Sequence, residues 1–293
     1  IAFERAYHGL GYGSLNATWR NEFRSPFRRQ LGEFASFVPF PESTADLAKL
    51  EKQINTECRR QNIGAILVEP IQGRGGTNIP PAGFLKLLRK ICNKHGALLI
   101  CDEVYTGFGR TGRWFASEYF GVMPDVICLG KALTGGFPLS ACTGRADVMD
   151  RAWPESQGEA IHTSTFLGHP VGCAMALASL RELEAKKLVV RSAEMGELFL
   201  TELHRLAKRL GQARCRPRGR GLMLALELFQ DDGGPAEAIA LSVTKRLLAE
   251  GFILLPEGEP ANILSITPPL TIGKTHIARF IRALGQALED AYP

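Results

Sequence analysis

Three short apolar runs constrain this chain more than anything else in it: residues 63–68 (IGAILV), 97–101 (ALLIC) and 125–129 (DVICL). Runs of about five residues closed by polar or glycine signals read as strands of a buried parallel sheet. Between the first two lies a helical pattern over 83–95, with Phe84, Leu87, Leu88 and Ile91 on one face. Further strands are expected over 1–6 and 139–143. Strand–helix–strand alternation predicts an α/β fold with a doubly wound, mostly parallel sheet. Ligands of such sheets bind beyond the carboxyl ends of the strands. The first run ends in Glu69, the second in Asp102, and the third passes through Gly130 into Lys131. An acid and an amine are thereby expected at one sheet edge.

The remaining chain fills in around that sheet. Residues 10–42 read as loop, and Thr44 or Asp46 could cap a helix running to about Gln61. Residues 106–113 and 162–172 are rich in glycine and hydroxyls and read as loops. Beyond about residue 180 the composition turns to Leu, Glu and Lys, with helices over 173–183 and 190–210. Strands over 222–228, 252–255 and 263–267, and helices over 235–250 and 274–291, then make an α+β unit. We therefore divide the chain into a large sheet domain, 1–180, and a smaller C-terminal α+β domain, 181–293. At 293 residues with 45% hydrophobic content, the chain is long enough to bury both cores.

Composition narrows the partners. The net charge of +5 rests on short basic clusters, Arg28-Arg29 and 214–220, without interleaved aromatics, so nucleic acid is not expected. Seven scattered cysteines lack metal-ligand spacing and read as reduced thiols of a cytoplasmic protein. No run approaches the roughly 20 residues of a membrane span, and no signal peptide is visible. The chain opens without Met on a strand already under way, which predicts a preceding segment.

In an extended segment Asp102 and Val104 share one face. Such a pair could set a carboxylate at the rim of a flat heterocycle and an aliphatic group against its ring. Lys131, in an apolar and glycine-flanked setting, is a Schiff-base candidate, because burial disfavours the ammonium. A pyridine nitrogen held by an aspartate, with its aldehyde on a lysine, is pyridoxal phosphate chemistry. The same two residues could equally be a structural ion pair. Tyr7, at the end of the first strand beside His8, could stack on a planar ligand or be an ordinary core tyrosine.

The segment DEVYTGFGRTGRWFASEYFGVMPDVICLGKALTGGFPLSA resembles the cofactor-lysine signature of class III (ω-type) aminotransferases, pyridoxal-phosphate enzymes of fold type I. AYHGLGYGSL, VEPIQGRGGTNIPPAGFL, HTSTFLGHP and LSITPPLTI extend the resemblance, in the family's order, over essentially the whole chain. It implies transfer of an amino group from an amine or amino acid to a 2-oxo acid, with Lys131 as the Schiff-base lysine and Asp102 on the pyridine nitrogen. It further implies that Val104 and Tyr7 cover the two ring faces beside His8, and that Glu69 lies near cofactor and substrate. Tyr105 takes a position where many members carry Gln near the phenolic oxygen. Thr165 corresponds to a threonine that reaches the cofactor phosphate of the neighbouring subunit, implying a homodimer with shared sites. Cofactor residues alone leave open an aminomutase, racemase or decarboxylase on the same fold, or a fragment unable to hold cofactor. Many members pair a Glu at the position of Arg74 with an Arg at the position of Ser265. That exchange predicts no Glu–Arg gate here: either Arg74 contacts a substrate carboxylate, or the substrate lacks a carboxylate at that end, or Arg74 serves a surface or intersubunit ion pair.

Overall fold

The computed structural model describes residues 1–159 and 162–292. Strand β1 (Ala2–Phe3), short helices α1 (Tyr12–Leu15) and α2 (Asn21–Arg24), and strand β2 (Phe37–Val38) come first. Helix α3 (Asp46–Arg60), strand β3 (Ala65–Val68), helix α4 (Phe84–His95) and strands β4 (Leu98–Asp102), β5 (Val126–Leu129) and β6 (Ala141–Gly144) follow. The second half holds α5 (Ala146–Ala152), α6 (Pro170–Ala185), α7 (Leu188–Leu210), β7 (Cys215–Arg220), β8 (Met223–Leu228), α8 (Glu237–Ala249), β9 (Leu255–Glu257), β10 (Ile263–Ile266) and α9 (Lys274–Ala291).

The expected sheet is present in the order β3-β4-β5-β6. β3, β4 and β5 run parallel, and β6 returns antiparallel to β5. Helix α4 starts after Gly83 and stops at Gly96, both left-handed, and its apolar stripe covers one sheet face. There Ile66, Val68, Leu99 and Cys101 are fully buried, with Phe3, Phe40 and Phe84 packed edge to face at 5.2–5.9 Å. Asp125 locks the strand ends: it accepts the Leu99 N–H at 2.7 Å and pairs with Arg89 at 2.6 Å and Arg145 at 3.0 Å. All seven cysteines are free thiols.

A second, antiparallel sheet, β7-β8-β10-β9, packs under α7, α8 and α9 around Phe199, Leu203, Leu224, Leu226 and Leu284. This unit meets the loop that follows β4 through bare backbone. A Cβ on Gly196 of α7 would lie 2.0 Å from the Gly221 carbonyl oxygen, and one on Gly221 only 2.2 Å from the Thr111 carbonyl carbon. Arg110 adds hydrogen bonds to the carbonyls of Leu222, at 3.0 Å, and Pro268, at 2.6 Å.

Several local expectations are corrected. The first strand is two residues, pairing in parallel with β2, not six. Residues 10–42 contain α1, α2 and a 3-10 turn over Ser25–Gln30 rather than loop alone. Helix α6 begins at Pro170, inside the expected loop, because proline suits a first helical turn. The strand expected over 252–255 lies instead at Leu255–Glu257, and β7, rich in Arg with Pro217, was not anticipated.

Candidate active site

Strand β4 ends on Asp102, and the chain turns at once. The Val104 N–H donates to Asp102 Oδ1 at 3.0 Å, an Asx-type turn. Asp102 and Val104 are therefore brought together by a turn, not by strand alternation. The other carboxylate oxygen, Oδ2, is 2.8 Å from His8 Nδ1, with both side chains largely buried. Two anchors leave lone pairs on Asp102 for one more donor. His8 Nε2 is buried without a hydrogen-bond partner among the described residues.

Lys131 follows β5 through Gly130 and adopts φ +41°, a left-handed conformation costly for any residue with a Cβ. Its Nζ stands 4.4 Å from the centroid of the Tyr105 ring and pairs with no carboxylate among the described residues. Tyr105 is itself seated on bare backbone, since a Cβ on Gly73 would sit 2.2 Å from its Cδ1. Val104 lies beside Gly130, where a Cβ would be 3.4 Å from its Cγ1. The Lys131 amine is held below the ordinary lysine range by burial, with Arg74 acting the same way and Asp102, Glu69 and Glu257 opposing.

Glu69 sits at the end of β3, buried, accepting the N–H groups of Tyr7 at 2.9 Å and Gly73 at 2.8 Å. Burial pushes its carboxyl up to about 7 against the pull of His8 and those N–H donors, with Asp102 adding to the rise. Glu103, next to Asp102, is buried and accepts from the Thr106 hydroxyl and from Ala116 and Ser117 N–H. It fastens the turn that carries Val104 and Tyr105, and the sequence offered no sign of it beyond its place beside Asp102.

The Tyr7 ring packs edge-on to Phe23 at 5.9 Å, and the Arg74 guanidinium lies over one of its faces at 5.0 Å. Arg74 makes an ion pair, with Arg74 Nε 3.3 Å from Glu257 Oε2. The partner comes from β9, 183 residues away, rather than from β10, where Ser265 is buried between Leu255 and Ala225. Arg20 steadies the pair by donating to the carbonyls of Arg74 at 3.0 Å and Gly258 at 2.8 Å. Burial lifts the Glu257 carboxyl above its usual range, with Arg74 opposing. Thr165 lies apart, exposed in the turn before α6, with no hydrogen bond to these groups among the described residues.

The family model for aminotransferase class-III matches residues 1–288. The chain belongs to the class III aminotransferase family. It is 37% identical over 287 residues to the acetylornithine aminotransferase of Methanosarcina mazei, covering 98% of this chain and 65% of that relative. It is also 37% identical over 292 residues to the putrescine aminotransferase of Pectobacterium atrosepticum, covering 99% of this chain and 59% of that one. This family member thus spans less than two thirds of the length of those relatives. A PLP-bound amine transaminase structure from an uncultivated Pseudomonas species superposes with a TM-score of 0.87 at 31% identity, covering 99% of this chain and 68% of that one. The fold is that of the type I pyridoxal-phosphate transferases, and the cofactor the family implies is pyridoxal 5'-phosphate. The residues fit it: among the described residues there are an amine without a carboxylate partner, an anchored carboxylate with lone pairs to spare, and a buried imidazole nitrogen without a hydrogen-bond partner.

Proposed function

We propose that the protein is a pyridoxal-phosphate-dependent aminotransferase moving an amino group from an amine or amino-acid donor to a 2-oxo acid. The observation that carries this is Lys131, a strained amine that pairs with no carboxylate among the described residues and feels the charge of the nearby Asp102. Bound there, the cofactor supplies an electron sink for negative charge at the substrate carbon.

Lys131 is the group that would hold the cofactor covalently. Its lowered pKa leaves more neutral amine near neutrality than an ordinary lysine has, so Nζ can take a proton and return it. Asp102 would hold the pyridine nitrogen, oriented by the His8 ring and the Val104 N–H. Val104 and Tyr7 would wall the ring, with Tyr105 beside the amine. Glu69 stands behind Tyr7, fixing its backbone. Arg74 faces the substrate side and would meet a carboxylate by exchanging Glu257 for it. Thr165, exposed here, fits a role toward the phosphate held by a second copy in a homodimer. A soluble cytoplasmic setting agrees with seven free thiols and with no helix, among the described residues, long and apolar enough to cross a membrane.

The test uses the full-length protein. Lys131→Ala is expected to remove both the visible absorption of covalently held cofactor and amino transfer from donor to 2-oxo acid. Retention of both in that variant would reject the assignment.

A further inference from the structure

Strands β5 and β6 place two cysteines opposite each other in register: Cys128 faces Cys142. The hydrogen-bonding phase fixes which kind of pair this is. The Arg145 N–H donates to the Asp125 carbonyl at 3.0 Å, so Asp125–Arg145 is a hydrogen-bonded position. Counting inward, Val126–Gly144 is non-hydrogen-bonded, Ile127–Thr143 hydrogen-bonded, and Cys128–Cys142 non-hydrogen-bonded. At such positions the Cα atoms approach to about 4.5 Å and the side chains lie side by side, within the span a disulfide bridges. Cys142 is exposed and Cys128 half-buried, so one thiol can meet a reagent and the other stands behind it. The same row continues to the site, because Cys128 is the cross-strand neighbour of Asp102 and lies on the strand that leads into Lys131.

We propose that Cys128 and Cys142 form an oxidisable thiol pair beside the active site, a modification site for small disulfides of the glutathione class. The Cys142 thiolate attacks one sulfur of the small disulfide and releases one small thiol. Cys128 then loses its proton to solvent and attacks the Cys142 sulfur, releasing the second. Two electrons pass from the protein sulfurs to the small disulfide, whose halves leave as two thiols. Burial pushes the Cys128 thiol up to about 12, with the Asp102 carboxylate and the Cys142 thiol adding to the rise. Burial leaves little Cys128 thiolate near neutrality, so the second step is slow and quickens as pH rises. The product ties β6 to the strand that carries Lys131 and is reversed by excess dithiol.

The experiment incubates the full chain with oxidised glutathione, quenches in acid, alkylates and digests with trypsin. Cleavage after Arg113, Lys131 and Arg145 puts Cys128 in the peptide 114–131 and Cys142 in the peptide 132–145. The expected result is an early glutathione adduct on Cys142, converting to a disulfide-linked pair of those peptides faster at higher pH. Cys128→Ser is expected to stop at the adduct, and Cys142→Ser to yield neither product. The proposal is overturned if the native chain accumulates the adduct without the cross-link. It is equally overturned if another cysteine supplies the bridge, or if the pair stays unmodified.

Discussion

Glu69 makes the stability of this protein depend on pH in a direction that can be worked out beforehand. Its carboxyl is fully buried at the end of β3, and burial lifts it from an ordinary 4.5 to about 7. Below about pH 4.5 it is protonated whether the chain is folded or unfolded, and no penalty arises. Between about 4.5 and 7 the unfolded chain releases the proton while the folded chain keeps it. The native state then binds more protons, and unfolding free energy falls as pH rises. The interval corresponds to about 3 kcal/mol, lost by the time pH passes about 7. Glu69→Gln removes that dependence at a cost of its own. The carboxylate accepts both Tyr7 and Gly73 N–H groups, whereas an amide accepts one and turns its NH₂ toward the other donor. That mismatch costs about 1–3 kcal/mol at every pH. The variant should therefore gain on the parent by about 2–3 kcal/mol between pH 5 and pH 8, whatever the size of the mismatch. Urea unfolding at both pH values measures the difference. An equal change with pH in both proteins would refute the assignment of the dependence to Glu69.

Three further outcomes follow from the site and the core. Arg74→Ala should raise KM for carboxylate-bearing substrates roughly 10- to 100-fold, the equivalent of a charge-assisted hydrogen bond, and leave carboxylate-free amines nearly unchanged. A parallel rise for both classes in steady-state kinetics would make the residue a structural brace. Lys131→Gly should lose cofactor absorption as Lys131→Ala does, yet gain about 1 kcal/mol in unfolding free energy by releasing the left-handed strain; an unchanged or lower stability would count against that strain. Gly196→Ala should cost about 1–3 kcal/mol or more, read as a lowered thermal midpoint, because its Cβ would fall on the Gly221 carbonyl.

The three parallel strands were legible because they are apolar up to their carboxyl ends. Residues 65–68, 98–102 and 126–129 can sit nowhere but in a core, and the intervening helix is bounded by glycines at both ends. Lys131 and Asp102 were legible for the same reason, as polar stops on those runs. What stayed hidden depends on contacts distant in sequence. The pairing of His8 with Asp102 spans 94 residues, and no local pattern encodes it. Strands of two residues, such as β1 and β2, carry too little periodicity to read. β7 was missed because arginines dominate it, although Arg218 turns them to use by hydrogen-bonding the carbonyls of Gly76 and Thr77. β9 at Leu255–Glu257 delivers Glu257 to Arg74 across 183 residues, a pairing no local pattern encodes.

The glycine contact between α7, Gly221 and the loop at Thr111 has a bearing on how such an enzyme can change its substrates. Main chain rests on main chain there, so no side-chain substitution can act as a spacer without dislodging the joint. The loop after β4 and the turn between β7 and β8 are held against each other by atoms that mutation cannot resize. New specificity must then arise by exchanging the groups that project into the site, charge for charge or charge for bulk. The Arg74–Glu257 pair, joined across 183 residues, is one set of groups that such an exchange would change.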